Sequence, residues 1–215
     1  MRWWPWHRRP AAGPGRWVVL DVESSGLDPQ HDRLLAIAAL GVRVVEGRLL
    51  VAPGDSFEVV LRQRDADATV PDRANILVHG IGVDAQRTGV EPAQALGAFQ
   101  AFTAGAPLVA FHAGFDRILL TRALRDVLRR RLDATWLDLA ELAPALLPQV
   151  NAHALDDWLA LFGIRVAVRH QAAADTWATA ELLQRLWPLA LAQGCDAGFG
   201  ALARLAASRR WLARS

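Results

Sequence analysis

Residues 16–22 form a Val-rich apolar run that closes on two alternating acids, Asp21 and Glu23, with Val22 between them. A run this short and this apolar has the character of a buried strand. The polar stretch SSGLDPQHD follows, punctuated by Gly26 and Asp28-Pro29, and predicts a loop. Apolar positions resume over residues 34–45 and break at Glu46-Gly47 as a hairpin turn would. They return over 49–51, and residues 56–61 predict a further strand or its extension. The first third therefore predicts an antiparallel meander. Beyond it the period lengthens. Residues 92–102 carry Pro at a helix start and apolar residues at helical spacing, 107–111 form a short strand, and 115–128 an amphipathic helix. Residues 136–139 predict the last strand, while 151–162, 172–191 and 199–212 predict helices. Hairpins followed by β-α-β units imply an α/β fold with a mixed sheet flanked by helices.

A length of 215 residues suits one domain with a full-sized core and short appendages. The expected division is a basic, Trp-rich leader at 1–15, one domain over 16–193 and a helical extension over 194–215. Hydrophobic residues at 53% and charged residues at 21% describe a globular chain. No apolar run approaches the roughly 20 residues that span a bilayer. The leader, with Trp3, Trp4 and Trp6, lacks the continuous apolar core of a signal peptide. It is expected to dock on the domain's own surface or on a partner. No membrane partner and a cytoplasmic location are expected. The single Cys195 agrees with a reducing compartment and excludes thiolate zinc clusters. The net charge of +2 says little, but every cationic side chain is arginine, whose planar fork suits phosphate. A GC-rich genome explains that usage more simply. Arg122, Arg125 and Arg129 fall at helical spacing, as a solvated face or a phosphate track would.

The candidate chemistry lies in three segments. Asp21 and Glu23, two apart on a strand, project from one face. Asp-x-Glu arises by chance about once in a chain this long, but here it ends a buried strand beside a Gly-containing loop. Asp116 follows a strand and His112-Ala113-Gly114-Phe115, and falls in the first turn of a helix, where capping explains an acid equally well. His170 and Asp175 stand five apart at the start of another helix, where a cap and a surface histidine are the plain alternatives. Four carboxylates gathered by folding repel one another unless cations are bound among them. That points to a metal site, and hard-metal chemistry points to phosphate.

In this order the segments resemble a known family. Asp21-Val22-Glu23-Ser24-Ser25-Gly26-Leu27-Asp28-Pro29 resembles the first motif of the DnaQ-like, or DEDDh, 3′–5′ exonucleases, whose familiar member is the proofreading epsilon subunit of bacterial DNA polymerase III. Phe111-His112-Ala113-Gly114-Phe115-Asp116 resembles their second motif, and His170 to Asp175 has the spacing of their third. His79-Gly80-Ile81 is similar to the element before the second motif, and LDDWLALFGI at 155–164 to the segment before the third. The match covers about residues 16–190. Ser24 and Ser25 replace the family's common threonines and keep the hydroxyls. Phe111-His112 stand where the family often has His-Asn, a departure that touches substrate contacts and leaves the acids intact.

The resemblance implies a ribonuclease H-like, five-stranded mixed sheet, a meander followed by parallel strands. It implies 3′–5′ hydrolysis of single-stranded DNA with release of nucleoside 5′-monophosphates. Two divalent cations, Mg²⁺ or Mn²⁺, are implied, with Asp21 bridging both, Glu23 and Asp175 completing one, and Asp116 holding the other partly through water. Oxygen ligands suit such hard cations. His170 is the implied general base, a task that suits histidine near neutral pH. Ser24, Ser25, Gly26 and Leu27 would line the terminal-nucleotide pocket, with Leu27 as a wedge against the base. His79 and His112 are further substrate candidates. The implied partners are a nucleic-acid 3′ end and a polymerase or other protein, in proofreading or repair. RNA-trimming relatives use the same five residues, so an exoribonuclease is the alternative. A non-catalytic nucleic-acid or polymerase-docking module is another, and the intact set of five argues against it.

Overall fold

The computed structural model describes residues 15–63, 80–166 and 168–212, with side chains through 208. His79 and the leader tryptophans Trp3, Trp4 and Trp6 lie outside the described residues. Three antiparallel strands lead the fold: β1 (Arg16–Ser24), β2 (Leu34–Val45) and β3 (Arg48–Val60). β4 (Leu108–Ala110) then pairs parallel with β1, and β5 (Trp136–Asp138) parallel with β4. The order is β3-β2-β1-β4-β5, a five-stranded mixed sheet of a meander followed by parallel strands, as the ribonuclease H-like resemblance implies.

β1 is central, which is why its residues are apolar on both faces. Val18, Leu20 and Val22 face a layer made by α2 (Pro92–Thr103) and α3 (Ala113–Leu128). Trp17 and Val19 face the opposite layer of α4 (Leu139–Leu146), α5 (Leu155–Leu161), α6 (Ala172–Ala192) and α7 (Phe199–Leu212). The start of β1 is pinned by the buried Arg16, whose guanidinium donates to both oxygens of Asp55 on β3 at 2.7 and 2.9 Å and lies 4.8 Å from the centre of the Phe102 ring. α6 is tied across the meander by three bonds. The Thr176 hydroxyl donates to Ala38 O at 3.3 Å, the Gln184 amide to Leu49 O at 3.1 Å and the Trp187 indole N–H to Gly47 O at 2.8 Å.

Several boundaries differ from the predicted ones for local reasons. The helix expected from residue 115 starts at Ala113, because His112 turns into the left-handed region (φ 59°) ahead of it. The helix expected from residue 151 starts at Leu155, where the Asp157 carboxylate accepts the N–H groups of His153 and Ala154, both at 3.0 Å. Two helices were not anticipated. α1 (Val83–Thr88) is short and polar, and α4 begins where β5 stops, with Asp138 as its N-cap accepting from the Ala140 N–H at 3.0 Å. The segments at 49–51 and 56–61 join into one strand, the extension reading being the correct one. No described helix is long and apolar enough to cross a membrane.

Candidate active site

Asp21 and Glu23 stand at the C-terminal end of β1, opposite Ala38 and Ala36 of β2, and the pairing register slips between Glu23 and Ser24. That irregularity ends the strand and opens the loop. Val22 between them is buried in the α2–α3 core, so both acids lie on the other face. Asp116 and Asp175 occupy the first turns of α3 and α6, where a helix dipole favours negative charge, and are only 4% and 6% exposed.

Their electrostatics place all four acids in one neighbourhood. Burial first, and then the charges of Asp116, Glu23 and Asp175, hold the Asp21 carboxyl well above the ordinary range, while Arg169 pulls the other way. Glu23 is pushed up to about 8 by burial, then by Asp175 and Asp116. Asp116 also rises to about 8 through burial, with Asp138 adding and the backbone N–H groups of Asp116 and Val22 opposing. A set of desolvated carboxyls that takes up protons so readily is short of positive charge. All-oxygen donors of this kind suit hard divalent cations such as Mg²⁺ or Mn²⁺.

Asp175 already has a cation. Its Oδ2 accepts the His170 backbone N–H at 3.1 Å, and its Oδ1 accepts from the Arg169 guanidinium. Arg169 also donates from Nε to Asp156 Oδ1 at 2.5 Å. Among the described residues, no three His, Cys, Asp or Glu side chains stand close enough together to hold one ion. The sequence reading singled out neither Arg169 nor Asp156; an arginine directly before His170 was the available signal. His170 itself is exposed, with its backbone left-handed at φ 60°.

The loop after β1 braces itself. Ser25 Oγ donates to Asp32 Oδ1 and accepts the Arg33 N–H, both at 2.9 Å, and Asp28 N–H donates to Asp32 Oδ2 at 2.8 Å. A Cβ at Gly26 would lie 2.5 Å from Asp32 Oδ2 and would push that brace carboxylate aside. Ser24 Oγ donates to Gly26 O at 2.5 Å. Leu27 stands out from this brace 93% exposed, an unusual setting for leucine. The serine hydroxyls thus shape the loop, and its backbone and Leu27 are what it presents outward. His112 is exposed beside the N-terminus of α3, its N–H donating to Asp138 Oδ1 at 3.0 Å. Asp138, which tethers both this turn and α4, is a second positioning residue that the sequence reading missed. Asparagine, the family's common residue at position 112, is like histidine among the types that tolerate a left-handed backbone. The departure from His-Asn therefore respects a conformational demand. Of the three arginines at helical spacing, Arg122 donates to the Asp32 carbonyl and Arg125 pairs with Asp126 at 2.8 Å.

The RNase_T exonuclease family model matches residues 18–183, and the chain belongs to that family of exonucleases. A DNA polymerase III subunit epsilon-like protein of Rhodobacter capsulatus is 34% identical over 188 residues, 86% of this chain and 25% of that protein. A PolC-type DNA polymerase III of Halalkalibacterium halodurans is 32% identical over 170 residues, 79% of this chain and 11% of that protein. The chain thus spans a quarter or less of the length of these relatives. Escherichia coli exonuclease I in complex with a dT13 oligonucleotide shares the fold at TM-score 0.69 and 19% identity, over 83% of this chain and 42% of that one. A moderately thermophilic exonuclease I from Methylocaldum szegediense does so at TM-score 0.63 and 20% identity, over 83% and 43%.

Proposed function

We propose that the chain is a 3′–5′ exonuclease that removes nucleoside 5′-monophosphates from the 3′ end of single-stranded DNA with two divalent cations. The observation that carries this reading is the convergence of Asp21, Glu23, Asp116 and Asp175 where β1, α3 and α6 meet, with the Asp21 and Glu23 carboxyls raised by burial and then by the charges of their acidic neighbours. These four carboxylates would hold Mg²⁺ or Mn²⁺, which when bound supplies Lewis-acid activation of water and phosphate. Their negative charge, balanced in that way, no longer repels an incoming phosphate. His170, exposed and joined to Asp175 through its own N–H, would accept the proton of the attacking water and release it to solvent. The exposed Leu27 would wedge against the terminal base, and the backbone of Ser24, Ser25 and Gly26 would contact its sugar. His112, beside Asp116, and His79 would make further contacts with the strand.

The choice of single-stranded DNA draws support from the oligonucleotide bound to exonuclease I, whose fold this chain shares. Relatives named a DNA polymerase III subunit epsilon-like protein and a PolC-type DNA polymerase III support a polymerase as partner and a proofreading or repair role, which we place in the cytoplasm. We take the catalytic unit to be residues 16–193, with the leader and the extension as appendages. The test is turnover of 3′-labelled and 5′-labelled single-stranded DNA and RNA with Mg²⁺, Mn²⁺ or chelator. Mononucleotides are expected from the 3′ label of DNA, and none with chelator. Asp21→Asn and His170→Ala should each lose at least about a hundredfold in rate with unchanged circular dichroism. Near-native turnover in either variant would refute the mechanism, and faster trimming of RNA would transfer it to the alternative substrate.

A further inference from the structure

Asp175 differs from the other three acids in having a permanent cation on it. Arg169 spans two carboxylates of opposite setting: the Asp175 side chain is 8% exposed and that of Asp156, in the first turn of α5, is 62% exposed. A guanidinium keeps its charge at every physiological pH. It is also the one cation whose field opposes the mutual repulsion at Asp21 and Glu23 among the causes resolved there. A divalent ion ligated by Asp175 would meet this guanidinium on the same carboxylate, and like charges at that distance repel.

We propose that Arg169 is a built-in counter-cation that competes with the divalent ion for Asp175, with Asp156 as the solvent-side anchor that receives it when the ion binds. This rests on the metal-dependent reading above and deepens it. The arrangement keeps Asp175 neutralised at low metal concentration and sets the metal threshold at which the site becomes loaded. It also commits the two carboxylates to opposite roles. Losing Arg169 removes a competitor, whereas losing the Asp156 charge leaves the guanidinium with Asp175 alone and strengthens the competitor.

The test is calorimetric titration of the full chain with Mn²⁺, without nucleic acid and at fixed ionic strength, paired with melting temperatures in EDTA and in Mn²⁺. Arg169→Gln should bind Mn²⁺ about tenfold or more tightly, the factor a neighbouring charge confers on a carboxylate. It should also melt lower in EDTA and gain more from Mn²⁺ than the unaltered chain. Asp156→Asn should bind Mn²⁺ several-fold more weakly; because Asp156 is exposed, this variant reports even where Arg169→Gln fails to fold. Unchanged or weaker binding by folded Arg169→Gln, or unchanged or tighter binding by Asp156→Asn, would overturn the competition and leave Arg169 a positioning residue. Absence of Mn²⁺ binding by the unaltered chain would instead bring down the metal reading itself.

Discussion

Glu23 and Asp116 carry pKa values near 8 because burial and neighbouring carboxylates disfavour their charge, and Asp21 shifts in the same direction. A carboxyl whose folded pKa lies above its unfolded one binds more protons in the native state across that interval. The stability it contributes is complete below the unfolded pKa and is lost as pH rises through the folded one. Glu23 starts from 4.5 and Asp116 from 3.8, so the window runs from roughly pH 4 to pH 8. In EDTA the melting temperature is expected to fall from pH 5 to pH 8, and saturating Mn²⁺ should flatten that decline. A level profile in EDTA would show that the acids do not crowd one another as described. The five candidate catalytic residues were legible in the chain because their identities and spacings lie within short segments. Arg169 and Asp138 were not, because each also bridges to a partner farther away in the chain: Asp156 is 13 residues from Arg169, and His112 is 26 from Asp138.

At the scale of elements, the meander was legible and the interior of β3 was not. Residues 52–55, Ala-Pro-Gly-Asp, have the chemistry of a turn, yet the strand continues through them. The β2–β3 register explains this: Leu40 pairs with Ser56 and Val42 with Val51, so the surplus residues bulge opposite Gly41. The bulge delivers Asp55 to Arg16 across the space a side chain at 41 would fill. Gly41→Ala should therefore drive Asp55 off Arg16 and destabilise the fold by about 1–3 kcal/mol in denaturant titration. A stability within about 0.5 kcal/mol of native would mean that Asp55 yields without consequence. α4 escaped the sequence reading for a related reason. Its eight residues include Pro144, and it begins without a loop after β5, so neither length nor punctuation announced it.

The whole molecule is a sheet with a core on each face, and α7 belongs to one of those cores. Leu202, 1% exposed, and Ala206 pack in the same cluster as Trp17, Leu142 and Trp187. Leu202→Ala should cost about 2–5 kcal/mol, read as an earlier denaturation midpoint. A loss below about 1 kcal/mol would make the last helix an ornament on an independently stable body. The layered architecture followed from hydrophobic spacing alone, whereas the side on which the last helix packs depended on contacts far apart in the chain. One local feature reaches further than this chain. His112 and His170 both hold a left-handed backbone, a conformation that costs an ordinary residue on the order of 1–3 kcal/mol and that glycine and asparagine adopt more easily. Position 112 calls for a residue that tolerates this shape, as histidine and asparagine both do. At position 170 the proposed proton transfer calls for an imidazole, and a lineage released from the reaction would be free to slide there toward glycine or asparagine. Among similar chains, that single column would separate working copies from retired ones.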